Sequence, residues 1–215
     1  VFGRFLMLST LSIVTTWGIW RFTRYASELL LCIEKQTTTD YLTDVMNRRG
    51  IENMLCLEVA RAKRNDAWLS IVMMDVDYFK TYNDNNGHQS GDLCLTRIVK
   101  IIESCTHRET DLLGRFGGEE FVLILPDTTA VGAIHVAERI RSKIIEQGIF
   151  YGADTQEVVT LTLGVSSGKG ENLDNVEQLI READRALYDG KNSGRNCVVS
   201  RLLEHSIECK AGGEA

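Results

Sequence analysis

The chain reads as an α/β (α+β) protein with a central mixed sheet, flanking helices and a β-hairpin. Three observations carry that reading. Amphipathic helical segments alternate with short apolar, β-branched runs. A Gly117-Gly118 pair separates two such runs in the manner of a hairpin turn. The 215 residues are 44% hydrophobic and 25% charged, a globular balance rather than a disordered or fibrous one. Eighteen Gly and a single Pro, Pro126, exclude collagen-like and proline-rich linker architectures. A net charge of −6 excludes a broad grip on nucleic-acid phosphates, so no nucleic-acid partner is expected, but leaves room for a basic pocket that holds one small polyphosphate.

Residues 1–21 read as a membrane-spanning or membrane-proximal helix. Phe5 to Trp20 is an uncharged run of 16 residues between Arg4 and Arg21. Trp17, Trp20 and Tyr25 lie beside Arg21 and Arg24, the pattern of a helix leaving a bilayer on its cytoplasmic side. Five Ser/Thr residues weaken the segment, and an interfacial or ordinary helix is the competing reading. The chain opens on Val rather than Met, as a fragment would. Residues 22–39 read as a linker or signalling helix, in which Phe22, Tyr25, Leu29, Cys32 and Gln36 alternate by three and four as in a short dimerising seam.

The domain proper is expected over residues 40–200. Its first helix runs from about Arg48 to Asn65, with Ile51, Met54, Leu55, Leu57 and Val59 on the apolar side. Leu69 to Met74 reads as a buried strand, Asn83 to Gly91 as a polar turn region, and Asp92 to Cys105 as a helix with Leu93, Leu95, Ile98, Ile101 and Ile102 inward. Leu112–Phe116 and Phe121–Leu125 form the hairpin. A helix over Val131–Gln147, a strand over Val158–Val165, a helix over Val176–Asn192 and a strand over Asn196–Val199 complete it. Residues 201–215 form a tail without signal. The cysteines Cys32, Cys56, Cys94, Cys105, Cys197 and Cys209 are scattered, with no C-x-x-C, and read as reduced thiols in a cytoplasmic domain.

The apolar strand leads into Asp75-Val76-Asp77-Tyr78-Phe79-Lys80, where Asp75 and Asp77 share one face. Carboxylates at the end of a buried strand are costly unless they meet cations. A second acidic pair, Glu119-Glu120, sits at the hairpin turn, and if strand and hairpin are neighbours Asp75 and Glu119 converge on one hard cation, Mg²⁺ or Mn²⁺. Between the pairs, Lys80 supplies a phosphate countercharge, and Asn83, His88 and Asp92 carry donors and acceptors matched to a guanine edge.

These segments resemble those of the GGDEF-domain diguanylate cyclase family. The resemblance rests on Asp40-Tyr-Leu42-Thr43 leading to Asn47-Arg48-Arg49, on Asp75-Val-Asp77-Tyr-Phe79-Lys80, and on Asn83 to Asp92 with Gly87, His88 and Gly91. It continues through Gly117-Gly118-Glu119-Glu120-Phe121 and closes with Lys191-Asn-Ser-Gly194-Arg195-Asn196. It implies a fold like the palm of nucleotidyl cyclases and polymerases, in which the hairpin is the family signature, and condensation of two GTP into cyclic di-GMP by a C₂ homodimer. It also implies site roles. Asp75, the Val76 carbonyl and Glu119 would hold metal, with Glu120 as a further ligand. Glu119 would be the general base, and Lys80 with backbone N–H groups near Phe79 would stabilise phosphate charge. Lys191 and Arg195 would contact the triphosphate, while Asn83, His88 and Asp92 hold the guanine and ribose side. Arg108 and Asp111 match the family's R-x-x-D inhibitory site for cyclic di-GMP, with Arg139 as its secondary arginine. The catalytic domain would then sit in the cytoplasm, anchored to the inner membrane by the first helix. Two positions depart from the common pattern: Glu119 stands where the family name has Asp, and Tyr41 where Pro is common. A non-catalytic receptor for GTP or cyclic di-GMP, or a class III mononucleotide cyclase, would be the competing functions.

Overall fold

The computed structural model describes residues 16–25, 38–106, 108–152, 155–173 and 175–203. The chain divides into two units, Val1–Thr37 and Thr38–Ala215. In the first, residues 16–25 are helical (α1), with Trp17, Ile19, Trp20, Phe22 and Tyr25 exposed. The Arg21 guanidinium lies 5.3 Å from the centre of the Trp17 ring, and that of Arg24 lies 5.4 Å from the Trp20 ring. Most of the expected membrane segment, and the seam beyond Tyr25, fall outside the described residues. Among the described residues, no helix is long and apolar enough to cross a membrane.

The second unit is a mixed sheet in the order β1-β3-β4-β2-β5-β6, as the α/β reading required. Its strands are Met46–Asn47 (β1), Trp68–Val76 (β2), Leu112–Gly117 (β3), Glu120–Pro126 (β4), Leu161–Lys169 (β5) and Val198–Leu202 (β6). The helices are Arg48–Asn65 (α2), Phe79–Asn86 (α3), His88–Cys105 (α4), Ala130–Glu146 (α5) and Val176–Asn192 (α6). β2 lies between antiparallel β4 and β5. Its side chains alternate between two cores, because strand positions two apart share a face. Val72, Met74 and Val76 pack with Phe79, Leu95, Ile98, Ala137 and Ile140 on the side of α3, α4 and α5. Leu69, Ile71 and Met73 pack with Ile51, Leu55, Leu179 and Leu187 on the side of α2 and α6. A strand covered on both faces explains the unbroken apolar run.

Side-chain caps fix the helix starts. Asn47 accepts from the Gly50 N–H at 3.0 Å, and Asn175 from the Gln178 N–H at 2.6 Å.

Several expectations are corrected. Asn83 to Gly91 is not a turn: α3 and α4 nearly abut, joined at Gly87, whose φ of +80° suits glycine. Leu57 and Leu93 are 62% and 72% exposed rather than inward, because each lies off its helix's buried i, i+3, i+4 row. β5 starts at Leu161 rather than Val158, which makes only an isolated bridge to Phe150. It continues through Ser166-Ser167-Gly168, where the missing side chain of Gly168 lets Leu173 and Leu203 approach. β2 runs on to Val76, β6 is shifted to Val198–Leu202, and the two-residue β1, parallel to β3, gave no sequence signal. Cys56, Cys94, Cys105 and Cys197 carry free thiols, and burial pushes that of Cys94 up to about 11.

The α6 backbone packs directly on β5 at Gly164, where a Cβ would lie 2.2 Å from the Ala183 carbonyl oxygen and 2.3 Å from the Leu187 nitrogen. Backbone cannot yield as a side-chain tip can. Gly164→Ala is therefore expected to cost about 3 kcal/mol, a fall in Tm of roughly 6–12 °C by thermal denaturation. A variant as stable as the parent would show that α6 is not packed this tightly on β5.

Candidate active site

The site is assembled where β2 ends. Asp75 registers with Glu120 of β4 on one side and Thr162 of β5 on the other. In the hairpin Gly117 pairs with Glu120, so Gly118 and Glu119 form the turn, and the register shifts between Arg115 and Gly117. The Val76 N–H donates to the Glu119 carbonyl at 3.3 Å. Sheet register thus brings Asp75 and Val76 beside the hairpin residues Glu119 and Glu120.

Arg115 holds the turn from behind. Its Nε and Nη2 donate to the Gly118 carbonyl at 2.8 and 2.6 Å, and Nη1 meets Asp40 Oδ1 at 3.1 Å. Burial works to raise the Asp40 carboxyl, but the Thr43 hydroxyl and N–H and the Arg115 guanidinium together hold it below the ordinary value. The Asp40–Thr43 segment is in this way wired to the signature turn, a connection across 75 residues with no local signal in the sequence.

Asp75 is 9% exposed, and Lys191 Nζ sits 2.8 Å from its Oδ2. Burial pushes this carboxyl up, Lys191 opposes the shift, and the nearby Glu119 and Glu120 charges add to it. Lys191, expected on the triphosphate, here pairs with the expected metal ligand. Among the described residues no group of three or more His, Cys, Asp or Glu side chains is placed to hold a metal ion by itself. The donor set still fits Mg²⁺, which takes one or two carboxylates and completes its shell with carbonyl, water and phosphate oxygens. An ammonium drawn onto Asp75 shows that the position attracts a cation.

The residues expected to meet phosphate are carried by the turn into α3 and its first residues. Tyr78, at φ +51°, turns the chain from β2 into the helix; Phe79 is buried and Lys80 exposed. The Tyr82 N–H already donates to the Tyr78 carbonyl at 3.1 Å, while the N–H groups of the first turn before it have no acceptor within the helix. Arg195 stacks on the Tyr78 ring, 4.4 Å from its centre, with Nη1 3.1 Å from the hydroxyl. Among the residues expected to meet the base, Asn83 Oδ1 is buried without a hydrogen-bond partner. Opposite it a Cβ at Gly91 would lie only 1.9 Å away, so Gly91 is what leaves that oxygen room. His88 and Asp92 are exposed in the first turns of α4 beside it.

Asp77, read from the sequence only as sharing a face with Asp75, is 1% exposed and turned to β5, where Thr160 and Thr162 each donate at 2.6 Å. The residues expected to form an inhibitory site lie at the other end of β3 from the signature turn. The Asp111 N–H donates to the Arg108 carbonyl at 3.0 Å, and Arg108 Nη1 to Thr128 Oγ1 at 3.2 Å. Arg139 reaches from α5 to the carbonyl of Cys105, three residues before Arg108, so the arginines share one surface.

The sequence pattern of the family described as Diguanylate cyclase, GGDEF domain, matches residues 37–197. Diguanylate cyclase A of Treponema denticola is 39% identical over 171 residues, covering 77% of this chain and 44% of that protein. The crystal structure of the GGDEF domain of DgcB from Caulobacter crescentus, in complex with c-di-GMP, superposes with a TM-score of 0.69 at 30% identity, over 76% of this chain and 92% of that one. The active GGEEF domain of a diguanylate cyclase from Vibrio cholerae superposes at 0.66 with 35% identity, over 74% and 98%. The chain spans half or less of the length of the curated relatives it matches.

The raised carboxyl at Asp75 has a pH signature. The folded state holds this proton more tightly than the unfolded one, so ionising the group costs stability as pH rises above its ordinary value of 3.8. Asp75→Asn cannot titrate there. In metal-free buffer the Tm of the variant relative to the parent is expected to climb with rising pH through that range. A difference that stays flat with pH would contradict the burial and carboxylate repulsion at this position.

Proposed function

The chain belongs to the GGDEF diguanylate cyclase family, and we propose that it condenses two GTP into cyclic di-GMP with release of two pyrophosphates, using Mg²⁺ or Mn²⁺ and acting as a homodimer. One observation carries this reading: the carboxylates at the end of β2 and at the hairpin turn, and the buried Asn83 oxygen beside Gly91, stand on either side of the N-terminal turn of α3. A metal-binding end and a base-recognising end thus bracket a phosphate-binding helix start. The active GGEEF domain among the similar structures supports Glu at position 119.

In the reaction, the 3′-oxygen of one nucleotide attacks the α-phosphorus of the other; a P–O bond forms as the bond to pyrophosphate breaks. The reciprocal step closes the ring, and each attack releases one proton. Asp75, the Val76 carbonyl, Glu119 and Glu120 would hold the divalent cation, which when bound offsets triphosphate charge and lowers the pKa of the attacking hydroxyl. Glu119 accepts the hydroxyl proton. Lys80 and the first-turn N–H groups at Phe79 face the charge that develops on the phosphates. Lys191 and Arg195 bind the triphosphate once released from Asp75 and Tyr78. Asn83 and Asp92 read guanine N–H groups, and His88 closes the base side.

Each copy holds one GTP, so two sites must face each other, and the alignment of the two nucleotides is the main catalytic contribution of the protein. Trp17, Trp20, Arg21 and Arg24 on α1 support placing the domain against the cytoplasmic side of a membrane. Arg108, Asp111 and Arg139 form the surface that binds product and restrains turnover; guanidinium groups suit both phosphates and guanine edges.

Incubation with GTP or ATP and Mg²⁺, followed by separation of products, is expected to give cyclic di-GMP from GTP alone, with specific activity rising with protein concentration. Formation of a mononucleotide cycle, or of no product, would select one of the competing functions. Glu119→Gln should lower turnover at least ~100-fold, and unchanged turnover would refute its role. Cyclic di-GMP should inhibit the parent, and Arg108→Ala should weaken its binding by about tenfold or more in calorimetry; equal affinity would place the inhibitory site elsewhere.

A further inference from the structure

The Asp77 carboxylate hydrogen-bonds none of the groups assigned above to metal or base, yet every polar atom of the residue is engaged. Its Oδ2 accepts from Thr160 Oγ1 at 2.6 Å and from the Asn196 N–H at 3.1 Å, and its Oδ1 from Thr162 Oγ1 at 2.6 Å. Its N–H donates to the Thr160 carbonyl at 3.0 Å, and its carbonyl accepts from the Tyr151 hydroxyl. A buried carboxylate met by three donors is a rigid node.

The far side of that node is a turn that does not hold itself. Gly194, Arg195 and Asn196 have φ of +112°, +64° and +46°, a left-handed run that is unfavourable for the two residues carrying side chains. The turn is held by the Arg195 N–H on the Gly190 carbonyl at 3.1 Å, by Arg141 Nη1 on Asn196 Oδ1 at 3.0 Å, and by the Asn196 N–H, which donates to both Asp77 Oδ2 and Thr162 Oγ1 at 3.1 Å. Of these holders only Asp77 is also contiguous with the phosphate-binding start of α3, one residue before Tyr78 and three before Lys80.

We infer that Asp77 is a positioning residue: through Asn196 it sets the place of Arg195 relative to the N-terminus of α3, so that the two halves of the triphosphate site keep a fixed spacing. The inference rests on the proposed contact of Arg195 with the triphosphate. The chemistry also says why a carboxylate stands here. Two hydroxyls and an N–H need acceptors on two oxygens, which a carboxylate supplies without turning a donor toward them. In Asp77→Asn the amide oxygen can face Thr160 and Asn196 while its NH₂ donates to Thr162 Oγ1, so that variant keeps the node and alanine does not.

The test is a double-mutant cycle on the full chain, with kcat and KM for GTP measured for the parent, Asp77→Ala, Arg195→Ala and the double variant. Each single substitution is expected to raise KM about tenfold with a smaller change in kcat, and the double to lie within about twofold of the worse single, because both remove the same contact. Asp77→Asn should return KM to within about threefold of the parent. A double variant with multiplied losses, or Asp77→Ala with an unchanged KM beside an impaired Arg195→Ala, overturns the inference. If Arg195→Ala itself leaves KM unchanged, the fault lies in the assignment of Arg195 and the inference falls with it. Should Asp77→Ala not fold, Thr160→Val takes its place in the cycle, since it removes a single donor from the node; the same outcomes decide.

Discussion

A carboxylate at the end of a strand buried on both faces has to meet positive charge, and the arrangement around Asp75 follows from that demand. β2 is central, flanked by β4 and β5, so its last residues leave the core between the hairpin turn and the start of β5. Lys191, brought in from the end of α6, supplies the charge at 2.8 Å. The acidic residues of the hairpin crowd the same spot and make its charge need greater still, as the raised Asp75 carboxyl records. A site that repels a lone proton-free carboxylate and recruits an ammonium is suited to a hard divalent cation. Bulk charge could not do this, since the chain carries −6 overall.

What the sequence disclosed depended on the range of the interaction. α6 was legible to the residue because its apolar positions recur at helical spacing and Asn175 caps it. The paired carboxylates and the Asn83 to Asp92 segment were legible because their chemistry lies in short contiguous motifs. α3 was hidden because its eight residues, Phe79 to Asn86, are mostly polar, and only Phe79 and Tyr82 turn inward. The second half of β5 was hidden because Ser166, Ser167 and Gly168 do not look like core. There Ser167 Oγ meets Ser70 Oγ at 2.7 Å, and Ser70 also reaches the Thr128 carbonyl at 2.7 Å, so these two buried hydroxyls are satisfied, whereas Ser166 Oγ is buried without a hydrogen-bond partner.

The couplings that hold the site were not legible at all. Asp40 with Arg115, Tyr78 with Arg195, and Asp77 with Thr160, Thr162 and Asn196 join residues far apart in the chain. Nothing in any one segment marks them. No partner carries a local mark of its distant contact, and only the topology shows which ones meet.

The two outermost strands bear on how copies of this domain can meet. On one side the sheet ends in β1, whose two residues cover only Gly114 and Arg115 of β3. A ladder that short offers an incoming strand almost nothing to extend. On the other side β6 exposes Ser200, Arg201 and Leu202, and Arg201 is tied back to Asp189 at 2.6 Å. A charged side chain on an edge strand discourages strand addition there as well. Among the described residues both sheet edges therefore disfavour edge-to-edge strand pairing, whereas contacts through side-chain surfaces can form and separate without remaking backbone hydrogen bonds.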